Sequence, residues 1–166
     1  MNIARFQSGV ALVTVLIMLV IITLLSLSAM RVSTMELNMA RNQESVTQAF
    51  NGAQALADAI IATPTSTPVS GGVDHVICTP GGGAGCDEET LQITEPYIAS
   101  HVTGNVMRAS VRRLGPALRP PPRGISSSAD KFMAAAFEVN ASYDNAAQGQ
   151  GSYSISEGVL VLVPTN

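Results

Sequence analysis

The chain has 166 residues and a formal net charge of −3, with 9 Lys and Arg against 12 Asp and Glu. This balance excludes a general electrostatic drive toward nucleic acid or anionic lipid. Aromatics are few, Trp is absent and Gly is plentiful, so the length suits one modest, loosely packed domain beside whatever else the chain carries.

Met1 to Ser8 is short and polar, with Arg5 its one basic residue. The stretch from Gly9 to Met30 then reads GVALVTVLIMLVIITLLSLSAM, and no charge falls between Arg5 and Arg31. Its only polar side chains are Thr14, Thr23, Ser26 and Ser28, whose hydroxyls a helix ties back to its own carbonyls. A run of about 20 apolar residues is what a helix needs to cross roughly 30 Å of hydrocarbon. The core helix of a soluble enzyme is a poorer reading, because such helices are shorter and broken by polar positions. A removed secretory signal has an apolar region of about 7–15 residues and a small-residue cleavage site. Here the run is longer and more helix signal follows it, so the segment reads as an anchor. Arg31 just past its end leaves the charge rule favouring a cytoplasmic N-terminus only modestly.

The helix signal continues beyond Arg31. Met35, Met39, Val46, Phe50, Ala53, Leu56 and Ile60 recur at spacings of three or four and draw one apolar face. Glu36, Arg41, Glu44 and Asp58 lie off it. Pro is absent from Val10 to Thr63, and Pro64 stops the pattern. The spacing predicts one helix over Val10 to Ala62, its second half covering a head domain. Met35 and Met39 read as packing residues rather than metal ligands. The heptads are too few for a coiled coil.

Thr63 to Gly85 is rich in Pro, Ser, Thr and Gly and reads as loop, with one short strand at Val73 to Ile77. Cys78 and Cys86 enclose TPGGGAG, flexible enough to close, and are the only cysteines. A disulfide fits an oxidising compartment. Zinc on both thiols and His75 is the rival, without a clear fourth ligand or paired C-x-x-C spacing. Asp87, Glu88 and Glu89 read as a solvated acidic turn rather than a calcium site.

Three later stretches alternate in part like half-buried strands: Asn105 to Arg113, Phe132 to Tyr143 and Ser152 to Val163. Gly158 marks a possible bulge. Leu114 to Asp130 is proline-rich and reads as an exposed loop. Arg108, Arg112, Arg113, Arg119 and Arg123 could contact phosphates. There is little aromatic interleaving, so salt-bridged or solvated arginines are expected instead of a nucleic-acid surface. No catalytic constellation stands in the chain. G-x-S-x-G and H-E-x-x-H are missing, GGGAG at Gly81 to Gly85 has no Lys after it, and His75 and His101 show no obvious partners. No enzyme, cofactor or metal is expected.

A short leader ending in Gly9, followed at once by Val10-Ala11-Leu12-Val13, resembles the class III signal of type IV pilins and pseudopilins. More narrowly, QSGVALV (Gln7 to Val13), RVSTMELNMARN (Arg31 to Asn42) and AFNGAQAL (Ala49 to Leu56) in that order resemble the PilX group of minor pilins. The likeness is clearest over Gln7 to Leu56. It departs from the pattern at Val10, where Phe or Met is usual, and at Gln54, where the group often has Glu.

The resemblance implies an α+β, pilin-like fold: a long N-terminal transmembrane helix packed on a small antiparallel β-sheet head of three or four strands. It divides the chain into a leader at residues 1–9, a transmembrane half-helix at 10–30, an amphipathic half-helix at 31–62 and a periplasmic head at 63–166. It implies that a prepilin peptidase cuts between Gly9 and Val10 and methylates the new terminus. Most pilins carry Glu at the fifth residue after the cut, where it pairs with a neighbouring subunit's amine. Thr14 stands there instead. A charge at membrane depth costs about 2.5–3.5 kcal/mol on insertion scales, so it is kept where it has a partner. A subunit without it fits the first place in a filament; an ordinary helix position is the plainer alternative. The implied partners are other minor pilins and the major pilin through the N-terminal helix, in the inner membrane and then at the pilus tip. The rivals are a minor pseudopilin of a type II secretion system and a tip adhesin or DNA-binding pilin using Arg108 to Arg123.

Overall fold

The computed structural model describes residues 7–82, 85–122 and 131–165, with side chains in the first helix from Val10 onward. The described chain divides into two compact units at the junction of Glu44 and Ser45. Helix α1, Gln7–Ile61, contributes to both. It begins three residues before Val10 and ends one residue before Ala62.

In the first unit every described side chain is exposed, the apolar stretch included. Met35 and Met39 are 68% and 64% exposed. In the second unit α1 buries Ala49, Ala53, Leu56, Ala57 and Ile60. Three of these five are alanines, so the helix backbone lies close to the sheet. Phe50 is half out, edge-on to Tyr153 with centroids 5.2 Å apart. At its C-terminal end, the buried hydroxyl of Ser66 donates to the carbonyls of Ile60 and Thr63. The Ile60 carbonyl also accepts the Thr63 N–H and the Thr63 carbonyl the Ser66 N–H, and together these bonds close the helix before the 3-10 turn at Pro64–Ser66 carries the chain away.

The sheet has four antiparallel strands in the order β1 (Val76–Cys78), β2 (Met107–Arg119), β3 (Phe132–Asp144) and β4 (Ser152–Pro164). One face meets α1 through Val111, Phe137, Val139 and Ala141, with Ile155, Val159, Val161 and Val163 of β4 packed against the margin of that core. Thus the long apolar helix and small antiparallel sheet form the α+β, pilin-like architecture that the resemblance implied.

Three readings need correction. Leu114 to Arg119 belongs to β2 rather than to a loop; residues 123–130 of that reading lie outside the described residues. The Gly and Pro that suggested a loop sit where the register slips, Leu114 facing Ala136 while Arg119 faces Ala134. A strand absorbs such residues in a bulge. Gly158, by contrast, faces Glu138 in unbroken register and marks no bulge. Helix α2, Pro96–Thr103, was not foreseen, although Pro at its first position and Ile98 and Val102 one turn apart are its signature.

Candidate assembly interface

Gly9, Val10 and Thr14 belong to the first unit, Cys78 and Cys86 to the second. The Gly9–Val10 bond lies within the first turns of α1 in this uncut chain. Thr14 donates its hydroxyl to the Ala11 carbonyl at 2.9 Å. Thr23, Ser26 and Ser28 do the same to Val20, Ile22 and Leu24 at 2.8–3.0 Å. Every hydroxyl of the apolar run is therefore satisfied inside the helix, which is the condition for exposing such a segment to lipid. Leu12, Leu16, Leu19, Leu24 and Leu27 are each more than half exposed, so the stretch is apolar all round and offers no polar face to water.

Cys78 and Cys86 are joined, with their Cα atoms 5.9 Å apart. Two sulfurs bonded to each other supply no thiolates, which removes the zinc alternative. Gly82 makes the closure feasible: a Cβ there would stand 2.5 Å from Cys78 Cβ and 2.9 Å from the Thr79 carbonyl. The acidic turn is exposed but employed. Asp87 accepts the Val76 N–H at 2.8 Å, and Glu89 accepts that of Gly81 at 3.3 Å. His75 has acidic neighbours after all, Asp87 at 3.5 Å and Glu88 at 4.0 Å. His101 has a partner as well, tilted on Tyr97 with centroids 4.5 Å apart.

The arginines do not form one patch. Arg112 and Arg113 are consecutive in a strand and point to opposite faces. Arg112 pairs with Glu138 at 2.7 Å. Arg113 is buried and donates to the carbonyls of Val69, Gly71 and Ala117, pinning the loop onto β2. Arg108 is exposed over a shallow depression lined by Ser110, Asn140, Ser142 and Ser154. Arg123 lies outside the described residues. Gln54, the departure from the group's Glu, donates to Glu157 of β4 at 3.0 Å. Glu at 54 would set two carboxylates against each other, so the amide suits this head.

Residues 8–55 match the family model described as PilX N-terminal. The N-terminal third of the chain is therefore similar to the N-terminal region of the PilX family. It covers Gly9, Val10, Thr14 and Gln54 and ends inside α1, before the disulfide and the sheet. No curated protein and no solved structure matches the chain. That likeness is consistent with a PilX-like type IV pilin. Together with the apolar run of α1 it fits membrane anchoring.

Proposed function

We propose that this protein is a minor pilin that helps initiate and cap a type IV pilus, standing at the filament tip. One observation carries the reading. The PilX N-terminal match runs through a helix whose fifth residue after Gly9 is Thr14, with its hydroxyl bonded to its own turn and no carboxylate to offer an amine. A subunit that follows another in the shaft gains from that carboxylate. One that stands first does not, and avoids placing a charge at membrane depth.

In this account a prepilin peptidase cuts between Gly9 and Val10. The helix of Val10 to Met30 holds the chain in the inner membrane with its head in the periplasm. The same helix then bundles with those of other minor pilins and the major pilin. The protein acts as an assembly subunit rather than a catalyst. Its arginines are proposed to serve the head's own structure, since Arg112 is paired and Arg113 is buried. Deleting the protein should sharply reduce the number of pili while the major subunit stays in the membrane. Wild-type pilus numbers without it would contradict the initiation role.

A further inference from the structure

On the side of the sheet away from α1, one half of the surface is a field of polar side chains in cross-strand rows. Arg108, Ser142 and Ser154 stand side by side on β2, β3 and β4, and Ser110, Asn140 and Ser156 form the next row. Neighbours within a row are about 4.8 Å apart, and the rows are about 7 Å apart. The short side chains leave a depression of about 430 Å³. Beyond Ser110 the next residue across the sheet is Cys78, so the bridge to Cys86 starts from this face, and Gly82 of the closed loop lines the depression on that side. The hollow has a floor of three paired strands and one wall held by a covalent bond.

The polar groups of the floor are mostly unspent. Ser142 donates to the Arg108 carbonyl and Ser156 to Glu138. The side chains of Ser110, Asn140 and Ser154 have no hydrogen bond among the described residues. Arg108 differs from its neighbours on β2. Arg112 is paired with Glu138 and Arg113 is buried under backbone carbonyls, whereas no acid among the described residues pairs with Arg108. Asp144, the next outward residue of β3 after Ser142, accepts the Ala146 N–H instead. The hollow therefore sets one free cation beside free hydroxyl and amide groups.

That pattern selects a ligand chemistry. Hydroxyls and a carboxamide both donate and accept, as the hydroxyls of a sugar do. An unpaired guanidinium suits a carboxylate, which it grips with two parallel bonds. A densely charged strand of nucleic acid fits poorly. Glu138 and Asp144 flank the hollow along β3, and no aromatic ring lines it to stack a base. An apolar peptide finds no apolar surface to cover, because the exposed side chains of both rows are polar.

We propose that this depression binds an acidic saccharide. The carboxylate of a uronic-acid unit sits on Arg108, and ring hydroxyls meet Ser110, Asn140 and Ser154. The site lies wholly in the second unit and does not need the pilus reading.

The test titrates the full chain in detergent with a trimer of galacturonic acid, and with the same trimer after its carboxylates are reduced to alcohols. The acid should bind at millimolar concentration, about fivefold or more tightly than the neutral trimer. Backbone amide shifts should centre on residues 108–110, 140–142 and 154–156. Arg108→Gln should remove the preference for the acid. Asn140→Asp, which sets a carboxylate on the floor, should abolish binding of the acid. Amide shifts elsewhere in the sheet should stay as in the wild type in both variants, which separates loss of the site from loss of the fold. Lys131→Gln, an exposed cation outside the hollow, should change neither affinity. Absence of binding at millimolar acid, equal affinity for the two trimers, or full preference in Arg108→Gln would overturn the site, as would an equal loss in Lys131→Gln. Tighter binding of a short single-stranded DNA, lost in Arg108→Gln, would overturn the choice of a saccharide in favour of nucleic acid.

Discussion

Gly52 shows how closely α1 approaches the sheet. A Cβ there would lie 2.7 Å from Cδ2 of Tyr143 and 3.2 Å from two further ring atoms. The ring has little room to turn, being 6% exposed and holding Gln150 through its hydroxyl at 3.0 Å. Gly52→Ala gains about 1 kcal/mol of helix propensity. It also forces an overpacked contact that typically costs about 1–3 kcal/mol. Because backbone and ring resist together, the loss wins: we expect net destabilisation of about 1 kcal/mol. A lower urea midpoint at unchanged slope, measured on the full chain in detergent, would show it. A midpoint at or above the wild-type value would mean that the ring yields freely.

Among the elements, the disulfide loop finishes β1. In the chain-entropy model, closing so short a loop contributes on the order of 2–3 kcal/mol. Free-thiol labelling without reductant should find neither cysteine, and Cys86→Ser should lower stability by about that amount while exposing the Val76–Cys78 amides to exchange. Stoichiometric labelling of both thiols in protein from an oxidising compartment would reject the bridge there. The strongly patterned elements were legible before the structure: α1 from its unbroken apolar and amphipathic run, β3 and β4 within one residue, and a Gly-rich segment that the two cysteines could close. What escaped depends on neighbours. The slipped half of β2 looked like loop because its Gly and Pro are tolerated only beside β3. Of the arginines expected to be salt-bridged or solvated, Arg112 pairs with Glu138 as expected, while the burial of Arg113 escaped because a linear sequence hides the alternation that turns it to the covered face. Helix α2, at eight residues, is too short for a periodic signal to rise above its surroundings.

At the scale of the whole molecule, the exposed apolar helix and the PilX-like N-terminal third support the proposal of a subunit that is processed and then assembled. Processing is open to direct measurement. Mass spectrometry of the protein from cells with an active prepilin peptidase should show a methylated Val10 as the first residue. An intact Met1 terminus would sink the cleavage reading. Position in the filament decides whether the protein stands at the tip. With the protein labelled on an exposed head residue and filaments imaged singly, the label should sit at filament ends. Labelling spread evenly along the shaft would contradict the tip assignment.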